Sequence, residues 1–166
     1  MVQILELFGG IGSPRCALRN IGIPVKSIDY VEIDEAAVRS YNAMFAKDLP
    51  YKTQTVVGYN LRPDILIHGS PCNDMSVAGH QGTATKDGRI NHGAGAEEGS
   101  GTRSSLMWET INIIKQMGEW KPKYVIWENV KNIRSKYMVH NHDRYMEELS
   151  KLGYTSTYEL LDAREF

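Results

Sequence analysis

The chain has 166 residues, 42% hydrophobic and 23% charged, with 19 Lys and Arg against 20 Asp and Glu and a formal net charge of -1. A chain of this length buries roughly two thirds of its unfolded surface, enough for a core without disulfide or metal staples, and the composition excludes collagen-like, mucin-like and wholly disordered classes. It lacks a run of about 18 apolar residues, and Met1 leads into Val2-Gln3-Ile4-Leu5-Glu6-Leu7 without a basic segment, so we expect no membrane span, no secretory signal and a cytoplasmic location. The two cysteines, Cys16 and Cys72, are then expected as reduced thiols. Near-neutral charge argues against a surface that grips phosphates throughout, while leaving room for a local basic cleft.

Apolar runs of strand length alternate with segments of helical period, which predicts one α/β domain with a Rossmann-like, doubly wound, mostly parallel sheet. The first run, Val2 to Phe8, ends in Gly9-Gly10-Ile11-Gly12, and a short helix with Pro14 in its first turn comes next until Gly22 stops it. A second strand is expected from Val25 to Val31, then a helix from Glu35 to Phe45 with Asp34 as its N-cap. Thr53 to Val57 is a weak third strand. Ile65-Leu66-Ile67, introduced by Pro63-Asp64, has the continuous apolar character of a strand covered on both faces.

Gly69 to Ser104 is a long polar stretch without apolar period, and so long a loop in a compact domain is usually functional or mobile. Helical spacing returns from Ser105 to Met117, with Ser104 and Ser105 read as its N-terminal cap. The strand Tyr124 to Trp127 comes next, capped by Glu128-Asn129-Val130. A last helix is expected from about His142, with Asp143 at its start, to Leu152, and a last strand from Tyr154 to Leu160.

Four features can carry chemistry. The glycine turn lets backbone approach a nucleotide-like ligand, and Glu32, 22 residues beyond Gly10 at the tip of strand two, can accept hydrogen bonds from both ribose hydroxyls while Ile33 covers one face of an adenine. The same turn can also serve packing alone. Gly-x-Gly-x-x-Gly is not met, because Ser13, Pro14 and Arg15 come after Gly12, which disfavours a dinucleotide phosphate relative to another adenosine ligand. Cys72, in Gly69-Ser70-Pro71-Cys72-Asn73-Asp74-Met75-Ser76, lies just past a buried-looking strand at the sheet edge where ligands bind, and its polar surroundings favour a nucleophile over a buried structural thiol. Cys16, inside an amphipathic helix, reads as a buried structural residue.

Glu128 closes another strand and is either a general acid or a cap for the segment after it. Arg89, Lys86 and Arg103 are candidate phosphate contacts or simply solvated charges. The five histidines show no metal-ligand spacing with the cysteines, so no metal is expected.

Together, Phe8-Gly9-Gly10-Ile11-Gly12, Val31-Glu32-Ile33-Asp34, Gly69 to Ser76 and Glu128-Asn129-Val130-Lys131-Asn132 resemble, in order, the motifs of the DNA cytosine-5 methyltransferases, and the cysteine loop resembles phage or prophage members. The resemblance covers the whole chain and matches the N-terminal half of that catalytic domain, a class I S-adenosylmethionine-dependent methyltransferase fold. It implies that Phe8, Gly10, Gly12, Glu32, Ile33, Pro71 and Leu106 line an S-adenosylmethionine pocket and that Cys72 is the nucleophile with Glu128 its acidic partner. Ser70, Asn73, Ser76 and Asn129 are then substrate-side residues, with Arg89 and Arg103 toward DNA. A flipped cytosine is the implied substrate, with restriction-modification as the setting.

This chain reads Gly58-Tyr59-Asn60 where the family carries an acidic residue for the adenine amino group, so Asn60 stands in for it. Relatives continue past the position of Phe166 into a Gln-x-Arg-x-Arg segment, a target-recognition region and a C-terminal helix. The expectation is therefore a C-terminally truncated, partial catalytic domain over 1–166 without a target-recognition domain, completed by a second chain. The competing readings are a remnant that only binds cofactor or a partner, an RNA cytosine methyltransferase, and a nicotinamide oxidoreductase, which the broken glycine pattern disfavours.

Overall fold

In chain order the elements are β1 (Val2–Leu7), α1 (Ser13–Asn20), β2 (Val25–Val31), α2 (Glu35–Phe45), β3 (Ile65–His68), β4 (Thr83–Ala84), β5 (Ile90–Asn91), α3 (Met107–Met117), β6 (Tyr124–Trp127) and α4 (Val139–Lys151). This computed structural model describes residues 1–46, 50–58, 61–71, 83–84, 90–91, 96, 98–99, 103–136 and 138–165. The chain packs as two units, one of Met1–Pro71 with Asn112–Glu128 and the other of Cys72–Ile111 with Asn129–Phe166, the division falling inside α3.

The first unit holds a four-stranded parallel sheet in the order β2-β1-β3-β6. Ile4, Leu5, Leu7 and Leu66 are fully buried, as continuous apolar runs require in a parallel sheet. Asp34 caps α2 as expected, its carboxylate accepting from the Ala36 and Ala37 amides. Because β2 lies on one side of β1 and β3 on the other, the direction of winding reverses between β1 and β3, which is where such sheets open a crevice at their C-terminal edge. The register of β1 against β2 shifts between Ile4 and Leu5, a bulge that precedes the functional end of β2. On its outer side β6 pairs with no strand among the described residues, and Tyr124 and Ile126 are 65% and 49% exposed.

Two expectations fail here. Thr53 to Val57 is not a strand: Gln54 alone reaches β2, its amide donating to the Glu32 carbonyl at 2.7 Å and its side chain to the Tyr30 carbonyl at 3.4 Å, and Gly58 then turns the chain at φ 73°. One bridging residue makes no ladder. Cys16 is half-buried rather than buried, since α1 presents no fully buried side chain, and Arg19 donates to its sulfur at 3.9 Å.

In the second unit, Ser104–Leu106 is a 3-10 turn running directly into α3, so Ser104 and Ser105 are the turn itself and not an N-terminal cap. The stretch expected as one polar loop contains the two-stranded antiparallel pair β4-β5. Helix α4 begins at Val139, ahead of the expected His142, because its buried stripe is Asn141, His142, Tyr145 and Leu149 and polar residues in the first turn mask the period. His142 is thus inside the helix, its ring bonded to Asp143 at 2.9 Å. Tyr154 to Leu160 is irregular and almost wholly exposed. Its Tyr158 ring goes to the Arg134 guanidinium at 3.8 Å and to the edge of His142, and the alternation brings no backbone pairing with it.

Trp108 ties the incoming polar stretch to the helices of this unit. Its indole donates to the Ala96 carbonyl at 2.7 Å, Tyr145 tilts against it, and Arg144 lies over its ring while pairing with Glu98.

Candidate functional site

The glycine turn leaves β1 at the C-terminal edge of the sheet. Phe8 takes a left-handed φ of 54°, Gly10 is at 53° and Gly12 at 87°, and Gly12 becomes the N-cap of α1. A left-handed backbone costs a residue with a Cβ roughly 1–2 kcal/mol, so Phe8 is held there by its surroundings. The glycines have different reasons to be glycine. A Cβ on Gly9 would lie 2.6 Å from the Tyr30 ring and one on Gly12 2.6 Å from Phe45 and 2.8 Å from Tyr41, whereas Gly10 faces open space. The ring cluster of Tyr30, Tyr41, Phe45 and Tyr51 is therefore the floor of the turn, with Tyr30 and Tyr41 stacked at 3.7 Å.

Glu32 stands beside the open side of the turn, half-buried at the end of β2. Its Oε2 accepts from the Gly10 amide at 3.0 Å, and its Oε1 from the Ile33 and Asp34 amides at 2.7 and 2.9 Å. A carboxylate offers about four lone pairs, so Oε2 keeps one for a ligand hydroxyl. Ile33 is 73% exposed next to it, an apolar surface that the fold leaves unpacked. An open glycine face, a carboxylate with acceptor capacity and an exposed apolar side chain fit a nucleoside.

Across the reversal point, β3 ends in Gly69-Ser70-Pro71 and β6 in Glu128, in register through the Glu128 amide donating to the His68 carbonyl at 3.0 Å. Gly69 leaves room for the Glu128 carboxylate: a Cβ there would sit 3.1 Å from its Oε2. Ser70 is buried, and its hydroxyl has no hydrogen-bond partner among the described residues. His68 stacks on Trp127 and is fully buried, which pushes its pKa down to about 3 and keeps it neutral.

Thus Phe8, Gly10, Gly12, Glu32, Ile33, Ser70, Pro71 and Glu128 all leave the same edge of one sheet. Leu106, Arg103 and Asn129 belong to the second unit, where Leu106 is in the 3-10 turn, Arg103 is exposed, and Asn129 Oδ1 accepts from the Val130 amide at 2.7 Å. Asn60, Cys72, Asn73, Ser76 and Arg89, with Lys86, lie outside the described residues. A cleft of about 470 Å³ lined by Arg15, Arg19, Ile23, Val25, Met44 and Phe45 opens at the opposite end of β2 and holds none of the expected site residues. Among the described residues no group of His, Cys, Asp and Glu is placed to hold a metal ion, and no helix is long and apolar enough to cross a membrane.

Residues 2–166 match the family model for C-5 cytosine-specific DNA methylase. The chain belongs to this family. It is 32% identical, over 99% of its length, to the orphan methyltransferase M.Rho11sI of Bacillus phage rho11s, covering 30% of that protein, and 29% identical to the type II methyltransferase M2.ScrFI of Lactococcus lactis subsp. cremoris, covering 57%. Among solved structures, the Dnmt2 methyltransferase of S. pombe superposes with a TM-score of 0.60 at 16% identity over 89% of this chain and 39% of that one, a likeness of fold. The chain spans between about a third and somewhat over half of the length of these methyltransferases.

Two residues of this sheet edge, Tyr30 and Gly69, do not stand out in the sequence. Tyr30 reads as strand core, although its place two residues before Glu32 puts both on one side of an extended strand. Gly69 reads as loop punctuation, although a residue without a side chain is what lets the neighbouring strand's carboxylate in.

Proposed function

We propose that these 166 residues form the cofactor-binding and nucleophile-bearing part of a cytoplasmic enzyme that methylates C5 of cytosine in DNA. The observation that carries this is the shared sheet edge, where a nucleoside-type site at Gly10 and Glu32 and a carboxylate at Gly69 and Glu128 flank the reversal point. The nucleoside cradle fits S-adenosylmethionine, with Phe8, Gly10, Gly12, Glu32 and Ile33 lining it and Asn60, Pro71 and Leu106 completing it. When bound, S-adenosylmethionine supplies an electrophilic methyl group. Glu32 accepts a ribose hydroxyl, and Ile33 shields an adenine face.

The cytosine ring is too poor a nucleophile at C5 without activation. Cys72, joined to Pro71, adds as thiolate to C6, and Glu128 shares a proton with N3 to offset the charge that develops on the ring, a role that contributes roughly 10²- to 10⁴-fold. After transfer, the C5 proton passes to solvent water, and the electron pair it leaves forms the C5–C6 double bond as the C6–S bond breaks and restores the Cys72 thiolate. The base must leave the duplex, at a cost of a few kcal/mol, and Ser70, Asn73, Ser76 and Asn129 face it while Arg89 and Arg103 contact phosphates. Full turnover needs the recognition elements that the relatives carry in their unmatched portions.

The test is transfer of a labelled methyl group from S-adenosylmethionine to mixed-sequence DNA, with and without a chain carrying those portions, and with Cys72→Ser as control. Transfer that appears when those portions are present and disappears in Cys72→Ser is expected. Cofactor binding without transfer in any mixture would reduce the protein to a binding module.

A further inference from the structure

Gly10 is gripped at both of its peptide groups by β2. Its amide donates to Glu32 Oε2 at 3.0 Å, and its carbonyl accepts from the Tyr30 hydroxyl at 2.6 Å. Residues 30 and 32 are two apart in an extended strand, so one strand face supplies both ends of the clamp. We propose that Tyr30 is a positioning residue of the nucleoside site, its hydroxyl fixing the Gly10–Ile11 peptide so that Glu32 and the turn keep the geometry the cofactor needs. This rests on the reading of that site as an S-adenosylmethionine cradle.

Three observations support it. A trans peptide is planar, so fixing the Gly10 carbonyl inward turns the Ile11 N–H to the opposite side, and that N–H has no partner among the described residues. Gly10 has φ 53°, and a methyl group in place of its hydrogen would meet no atom within 4 Å, so packing does not hold it and hydrogen bonds must. The Tyr30 ring is itself fixed: it lies under Gly9, stacks on Tyr41, and the Tyr41 hydroxyl donates to buried Glu6 while accepting from Arg15 at 3.1 Å. Burial, together with Glu32, Glu6 and Asp34, pushes the Tyr30 pKa well above the ordinary tyrosine value, so the hydroxyl remains a donor throughout the usable pH range.

The experiment compares the wild-type chain with Tyr30→Phe and Tyr41→Phe by calorimetric titration with S-adenosylmethionine, thermal melting, and amide resonances of Gly10 and Ile11. Tyr30→Phe keeps the ring and loses only the hydroxyl. The expected result is a cofactor Kd raised about tenfold, shifted Gly10 and Ile11 amides, and a melting point close to wild type. Tyr41→Phe, which loosens the support under the Tyr30 ring but leaves the Tyr30 hydroxyl in place, is expected to lower the melting point and to raise the Kd less than Tyr30→Phe does.

Equal affinity in wild type and Tyr30→Phe overturns the positioning role and leaves the cradle reading intact. So does an affinity loss that tracks melting point with both amides unmoved, because that pattern is a purely structural hydroxyl. A wild-type chain that does not bind S-adenosylmethionine overturns the cradle reading and the inference with it.

Discussion

The two halves of the sheet edge are finished to different degrees. At β1 and β2 every polar group of the turn that faces the strand is engaged: Gly10 is held at both peptide groups, and Glu32 collects three amides. At β3 and β6 the Glu128 side chain is exposed beside Gly69, and the buried Ser70 hydroxyl has no partner among the described residues. The difference teaches that the β1–β2 end is preorganised by this unit's own residues, whereas at the β3–β6 end the Glu128 carboxylate and the Ser70 hydroxyl keep hydrogen-bonding capacity among the described residues.

That contrast can be broken most sharply at Glu128. Under the proposed chemistry, Glu128→Gln keeps the shape and removes the proton, so kcat for methyl transfer should fall by about 10²- to 10⁴-fold while the Kd for S-adenosylmethionine stays within about twofold. A parallel loss of cofactor affinity would mean that the two halves are not separate.

The next largest effect belongs to the other half. Gly12→Ala places a methyl group 2.6 Å from Phe45 at φ 87°, combining backbone strain with overpacking, and should cost about 3 kcal/mol in a denaturant melt. Gly10→Ala meets no atoms and carries only the left-handed strain, so about 1 kcal/mol is expected there. Similar losses at both positions would show that the aromatic floor does not discriminate.

The last prediction concerns His68, at the end of β3. Its folded pKa of about 3 lies below the unfolded 6.5, so above pH 6.5 both states are neutral and it contributes no pH dependence. As pH falls from 6.5 toward 3 the unfolded chain takes up a proton that the native state refuses, and stability declines by about 1.4 kcal/mol per pH unit. Stability measured from pH 7 to pH 5 should show this slope, and His68→Leu should flatten it. An unchanged slope in the variant would assign the acid sensitivity elsewhere.

Much of the fold is legible in the sequence. Continuous apolar runs such as Ile4-Leu5 and Ile65-Leu66-Ile67 mark parallel strands because burial on both faces tolerates little else, and the Asp34 cap is written in the chemistry of one side chain. The strands expected at Thr53–Val57 and Tyr154–Leu160 fail for a common reason: alternation records which residues suit a pleat, whereas a strand exists only when a second backbone pairs with it. Within the site, the carboxylates and glycines stand out because their chemistry is local. Tyr30 does not, since an aromatic residue in a strand looks like core until its hydroxyl is seen on the Gly10 carbonyl. The cysteine segment lies outside the described residues, and there the sequence motif remains the only guide.

The strand order also sets a folding sequence. Leu7 pairs with Val31 through a short crossover, but with His68 only after a much longer loop, and His68 with Trp127 after another of comparable length. Loop-closure entropy rises with separation, so the β1-α1-β2 unit with its glycine turn, extended by α2 with most of the aromatic floor, is the cheapest long-range structure to close and the natural nucleus. During synthesis it can form while β6 is still unmade. Mutations in the floor should therefore slow refolding, whereas mutations at the β3–β6 end should chiefly speed unfolding.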